Sequence, residues 1–180
     1  MQAQGPLVSR LTGIVTFKAP VYKEVAEDKS ATQTAALIVV VVAVVVGVIS
    51  GIFSGSFIGS LLVTVVGQLI GWALGSWVLA FVAKTFFQGD TDAGEMLRVT
   101  GHTAIFLIIG VIPFLGIIGR ILQIVANVIG VREAAGFDTT KAILTAIITG
   151  VIIFIVTLII GLILAAIGIS AAAVTGSLNR

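Results

Sequence analysis

The chain has 180 residues, 58% of them hydrophobic and only 10% charged, and a mean hydropathy of +1.24. Soluble domains carry about a quarter charged residues and a surface that is roughly 25–35% charged, so ten basic and eight acidic side chains cannot coat a globule of this length. The composition describes a protein solvated by a bilayer. Absence of cysteine excludes a disulfide framework, a thiolate metal site and a cysteine nucleophile, and one histidine excludes a multi-histidine metal site. A net charge of +2 is too small to argue for nucleic acid. No metal and no cofactor is expected.

The first 29 residues contain Arg10, Lys18, Lys23 and Lys29 but no continuous apolar core, so the first span is expected to be an uncleaved anchor rather than a signal peptide. Leu7, Leu11 and Ile14 recur at helical spacing, and Val21, Tyr22 and Val25 do so again after Pro20, a favourable first-turn residue. This predicts two short amphipathic helices at the membrane interface. A partly ordered tail is the alternative for residues 1–17.

A transmembrane helix needs about 20 apolar residues. The charge-free run 30–83 holds two spans, near 33–53 and 57–83, because Gly55 between Ser54 and Ser56 is turn chemistry. Ser30 with Gln33 fits a capping box opening the first span, and Asp92 with Glu95 fits another before the third. Residues 99–131, interrupted only by Arg120, carry Pro113, Gly116 and Gly119 at their centre. Proline removes a donor and disfavours helix in the residue before it, so a break is predicted over Ile112 to Gly119. The two short helices that result either cross as a third and fourth span or form a re-entrant hairpin. A last span is predicted near 141–168, capped by Asp138, Thr139 or Thr140 after Gly136, which closes the preceding helix. The expected fold is all-α, a polytopic bundle of five transmembrane helices. Residues 1–32 form a cytoplasmic amino-terminal segment, 33–168 the membrane domain and 169–180 a short external tail.

With five spans, eight basic residues fall on one side: Arg10, Lys18, Lys23, Lys29, Lys84, Arg98, Arg132 and Lys141. Arg120 and Arg180 fall on the other. That asymmetry places the amino terminus in the cytoplasm and the carboxyl terminus outside. All eight acids share the cytoplasmic side, giving a near-neutral polar face where a soluble partner would dock. Tyr22, Glu24, Asp28, Arg98, Arg132 and Glu133 are its candidate interaction residues; the alternative is that these charges only solvate helix ends.

Gly47, Gly51, Gly55 and Gly59 form an every-fourth run, and Gly67, Gly71 and Gly75 form another. Glycine at that spacing makes a groove for a neighbouring helix, used either inside one chain or at a homo-oligomer seam. Trp77 is expected at the headgroup level and Trp72 deeper. Arg120, Gln123 and Asn127 stand at i, i+3 and i+7 and share one helix face. An intramembrane ionisable residue is a functional candidate. The competing expectation is that Arg120 snorkels beside the outer turn while the amides bond a neighbouring helix, with Gln68 and Thr64 as partners. His102 begins the third span near Arg98, where it either titrates or caps a helix end. No phosphate-cradling loop, HExxH, nucleophile elbow or paired intramembrane carboxylates occur.

The segment FKAPVYKEVAEDKSATQTAAL, the valine-rich span after it, and GHTAIFLIIGVIPFLGIIGRILQIVANVIGVREAAGFDTTKAILTAII together resemble the Yip domain family of small multi-pass membrane proteins over nearly all of residues 11–165. Gly130, Arg132, Glu133, Gly136, Thr140, Lys141 and Ala142 carry the last part of the pattern. The resemblance implies five spans and a cytoplasmic amino terminus. Eukaryotic members of the family act in vesicle traffic and bind prenylated Rab GTPases; this chain lacks their Asp-Leu-Tyr-Gly-Pro signature and long amino-terminal region, and it looks like the short prokaryotic branch.

The function expected is that of a non-enzymatic scaffold or organiser of partners or lipid in a prokaryotic cell membrane. Its partners would be membrane lipids, a cytoplasmic protein and further copies of itself, and not nucleic acid. The alternative is a small transporter or channel working through Arg120, Gln123 and Asn127 with the break at Pro113.

Overall fold

A computed structural model describes residues 7–112 and 115–166, whose regular structure is entirely helical. Two short helices, α1 (Leu7–Val15) and α2 (Ala19–Glu27), precede the long α3 (Ala31–Ser54) and α4 (Phe57–Phe87). Helix α5 (Ala93–Thr103) tightens into a 3₁₀ segment (Ala104–Val111), followed by α6 (Gly116–Ala135) and α7 (Thr139–Ala166). Four stretches are long and apolar enough to cross a bilayer: Ala31–Ser54, Phe57–Phe87, Ala93–Val111 and Thr139–Ala165. Helix α6 has 20 residues, about 30 Å at 1.5 Å each, but its polar side chains leave it outside that apolar class. Pro113 lies outside the described residues, as do 1–6 and the predicted tail; beside it, the 3₁₀ segment ends at an extended Ile112 and α6 restarts at Gly116.

The predicted turn between the first two spans forms at Gly55, whose φ of 68° lies in the left-handed region that glycine enters without strain. Gly136 closes α6 in the same way, at φ 66°. Of the predicted caps, Asp92 and Glu95 make a complete capping box on α5, and Asp138 accepts from the Lys141 N–H at 3.0 Å to start α7. Ser30 makes no side-chain cap bond on α3, so the predicted Ser30–Gln33 box does not form; the Asp28 carboxylate instead accepts from the Ser30 hydroxyl and N–H. Ser30 has helical backbone angles, φ −70° and ψ −22°, rather than the extended ones from which an N-cap side chain reaches the first turn.

Packing is uneven along the molecule. The end carrying α1, α2 and the loops after α4 and α6, here termed the polar end, holds most of the buried residues. One cluster joins Ile14, Tyr22, Ala26, Val99, Phe106 and Ala126 across α1, α2, α5, the 3₁₀ segment and α6. A second joins Leu79, Ala80, Met96, Val131 and Ala142 of α4 to α7. Towards the opposite end, α4 and α7 present rows of exposed Leu, Ile, Val and Phe, the surface expected of helices that face lipid chains.

The amino-terminal helices are part of this core. Ile14 and Tyr22 are fully buried, the Tyr22 hydroxyl donates to the Ile14 carbonyl at 2.8 Å, and Phe17, at φ 56°, stacks on Phe106 with ring centroids 5.5 Å apart. Arg98 of α5 donates from Nε to the Ala26 carbonyl at 2.7 Å, at the carboxyl end of α2 where unpaired carbonyls favour a cation. His102 is likewise interior, with Nδ1 2.7 Å from the Arg98 carbonyl, and neither caps nor solvates a helix end.

Close helix approach falls at particular glycines. A Cβ at Gly47 or Gly51 would stand 3.1 Å from Leu61 Cα or 2.9 Å from Phe57 Cα, so the first glycine run seats α3 on α4. Gly101 meets Ala35 of α3, Gly119 meets the Phe106 carbonyl, and Gly130 meets Val99 beside Tyr22. A Cβ at Gly67, Gly71 or Gly75 would meet nothing within 4 Å; the second run seats no described helix.

Candidate functional site

Helices α4, α5, α6 and α7 leave a half-open cleft of about 410 Å³ between them. Its polar lining comes from all four: Gln68, Trp72 and Ser76 of α4, Thr100 of α5, Arg120, Gln123 and Asn127 of α6, and Thr149 of α7. The i, i+3, i+7 spacing puts the three α6 residues on one face, and the packing of α6 against the 3₁₀ segment through Gly119 turns that face towards α4 and α7. The opposite wall is smooth, because Gly71 and Gly75 of α4 and Gly150 of α7 line it without a side chain. Apolar side chains, among them Leu79, Ile124 and Ile153, complete it.

The polar groups of the cleft differ in how far they are committed. Asn127 accepts the Thr103 hydroxyl on Oδ1 at 2.6 Å, which leaves its amide N–H groups for another acceptor. Thr149 is nine-tenths buried, and its hydroxyl has no hydrogen-bond partner. Among the described residues the Arg120 guanidinium reaches only the Gln123 side-chain oxygen, at 3.5 Å. Towards the polar end the seam between α4 and α5 is shut: the Trp72 indole donates to the Leu97 carbonyl at 3.0 Å and Ser76 bonds Thr100 at 2.7 Å.

The Arg120 side chain is exposed. It also lines a neighbouring cleft with Gln68 and with Val42 and Ala43 of α3. Those α3 residues lie about 17–18 Å along a 24-residue helix, near its middle, while Gly110, Gly116 and Ile117 of the same cleft flank the break. Of the two partners predicted for the Gln123 and Asn127 amides, Gln68 shares the cleft and Thr64 packs beside Gly47, while Asn127 bonds Thr103 instead.

The polar end is the other candidate surface, and it contains fewer of the predicted residues than expected. Tyr22 is 0% and Arg98 7% exposed; both are interior struts rather than docking residues, because α2 folds down on α5 and α6. Asp28 is mostly covered and pairs with the buried Arg10 at 2.8 Å, while Glu24 pairs with Arg10 at 2.9 Å and keeps an exposed edge. Burial opposes the Arg10 charge, but hydrogen bonds and attraction from Asp28 and Glu24 outweigh it and hold the guanidinium above its ordinary pKa. The Ser30 hydroxyl bond, aided by Arg10 against desolvation, holds the Asp28 carboxyl below the usual carboxylate range. Burial pushes the Tyr22 phenol well above its ordinary value. Arg132 and Glu133 remain partly exposed and pair with each other at 2.8 Å. Trp77 stays exposed, stacked on Phe81 at 5.7 Å.

Sequence reasoning missed Thr149, which sits unremarked in an apolar run, and it missed the part played by Gly71, Gly75 and Gly150 as a bare wall. It also took Arg10 for a solvating charge. The spacing of Thr145 and Thr149 at i, i+4 in α7 was the available signal, since both are buried and neither hydroxyl has a partner.

Comparison with protein families matches the Yip1 domain over residues 12–161, most of the chain and every helix from α3 to α6. No curated protein and no solved structure matches. The match takes in the cleft residues of α4, α5 and α6 and the apolar helices around them, and an integral membrane location follows from both observations: the chain belongs to the Yip1 domain family of membrane proteins.

Proposed function

We propose that the chain is a non-enzymatic membrane protein that takes an amphiphile from the bilayer into the cleft between α4, α6 and α7 and so organises lipid. The observation that carries this reading is the meeting of Gln68, Arg120, Gln123 and Asn127 in a half-open cleft whose other wall is glycine and aliphatic side chain. Such a site has a polar place for a head group and a smooth place for a chain. In this reading α6 is the fourth of five crossings, the polar end faces the cytoplasm, residues 169–180 lie outside, and the membrane is that of a prokaryotic cell. Residues 7–32 and the exposed edges of Glu24, Arg132 and Glu133 then offer a cytoplasmic partner a preformed platform.

The transporter reading draws on the same residues, but the Trp72–Leu97 and Ser76–Thr100 bonds that shut the α4–α5 seam favour a holding site over a conducting path. Native mass spectrometry of the full chain in detergent tests the proposal. Wild type is expected to retain lipid, and a variant carrying Gly71→Leu and Gly75→Leu, which fills the open wall, is expected to lose it. Equal retention by the two would refute the reading, and solute flux in liposomes above protein-free controls would replace it with conduction.

A further inference from the structure

We propose that the lipid held in the cleft is an anionic phospholipid whose phosphate binds the Arg120 guanidinium. The inference rests on the amphiphile-holding reading above and adds the charge class of the occupant and the residue that selects it.

Arg120 is a cation that lines two clefts and, among the described residues, has no counter-ion. The ion pairs among the described residues are Arg10 with Glu24 and Asp28, Lys23 with Glu27, and Arg132 with Glu133. All eight side-chain carboxylates of the sequence belong to the segments 24–28, 90–95 and 133–138, at the polar end, and none lines either cleft that Arg120 touches. A charged side chain inside the hydrocarbon pairs or marks a ligand pathway, and here the described residues supply no anion.

The neighbouring groups fit a phosphate better than a carboxylate. Arg120 presents a planar fork of donors matched to phosphate oxygens, and Gln68 and Gln123 bring further amide donors from two helices, more than the two oxygens of a carboxylate use. The uncommitted Asn127 amide and the unpartnered Thr149 hydroxyl lie deeper in the same cleft, where the ester oxygens of a glycerol backbone would follow the phosphate. The volume suits a head group and the start of the chains. The chains themselves leave along Gly71, Gly75 and Gly150, where nothing stands within 4 Å of an added Cβ.

The test is titration of the full chain, in detergent and followed by native mass spectrometry, with phosphatidylglycerol and phosphatidylcholine of matched chains. Wild type is expected to bind phosphatidylglycerol about five- to tenfold more tightly. Arg120→Met is expected to abolish that preference, while Arg120→Lys keeps part of it and Arg132→Met, at the polar end, keeps all of it. Equal binding of the two lipids by wild type overturns this inference and leaves the lipid-holding reading standing; that comparison needs no variant to fold. Binding of neither lipid above the Gly71→Leu, Gly75→Leu variant ends both. Preference surviving in Arg120→Met, tighter binding of oleate, or displacement of lipid by millimolar inorganic phosphate would each overturn the assignment of a phospholipid to Arg120.

Discussion

Gly101 and Gly75 undergo the same chemical change on substitution by alanine, and the structure gives the two changes opposite signs. At Gly101 the new Cβ would stand 2.6 Å from Ala35 Cβ and 3.1 Å from both the Cα and carbonyl oxygen of Ala35. Carbon atoms in good contact sit about 3.5–4.0 Å apart. None of these obstructing atoms can swing away, so α3 and α5 must part by roughly 1 Å and loosen the contacts beside them. Overpacking of that kind costs about 1–3 kcal/mol, and the better helix propensity of alanine returns up to about 1 kcal/mol. The net expectation is a loss of about 1–2 kcal/mol, or a Tm lower by roughly 2–8 °C for a chain of this size. At Gly75 nothing lies within 4 Å; only the propensity gain remains, and Tm should rise by roughly 2–4 °C. Thermal unfolding of both variants in one detergent, followed by circular dichroism, measures the difference. Shifts of the same sign would refute the division of the glycines into those that seat helices and those that line the cleft.

Tyr22→Phe removes the hydroxyl that donates to the Ile14 carbonyl and leaves that carbonyl with the Phe17 N–H alone, at 3.1 Å, at a cost of about 0.5–1.5 kcal/mol; a lower Tm with α1 protected less against hydrogen exchange is expected. Because burial raises the Tyr22 pKa in the folded chain, its contribution is complete below the unfolded value near 10 and is lost as pH climbs above it. A pH titration of Tm should therefore fall more steeply above pH ~10 in wild type than in Tyr22→Phe. The Asp28 carboxyl behaves in the opposite sense: its folded pKa is lowered, so its stabilisation is present above about pH 4 and disappears as pH drops through the folded value. Docking of α1, read by hydrogen exchange, should weaken below that point in wild type and be weaker and less pH-dependent in Asp28→Asn. Asp92→Ala removes the capping box on α5 and should cost about 1 kcal/mol, visible as fraying of residues 93–96.

Composition and local chemistry made the helical framework readable. The apolar runs placed α3, α4 and α7 to within a few residues, since a bilayer demands about 20 apolar residues per crossing wherever they occur. Gly55 and Gly136 marked helix ends because only local backbone geometry is at stake there. The Arg120, Gln123 and Asn127 face was legible as well, being a matter of spacing within one helix. The two readings that failed at the amino terminus concerned Tyr22 and Arg98. Each is amphipathic and compatible with an interface, and nothing nearby in sequence says that α2 will fold onto α5 and α6.

Sequence by itself determined the solvent of this protein, its helices and their ends, because hydropathy and capping act over one or two turns. Tertiary structure alone decided which glycines bear a neighbouring helix and which stay bare, that Thr149 joins Asn127 in one cleft, and that Arg120 shares a second cleft with Val42 and Ala43 of α3. Those outcomes depend on the rotation and depth of each helix relative to the others, which are fixed by contacts such as Gly101 on Ala35 and Gly119 on Phe106, between residues far apart along the chain or across a break in it.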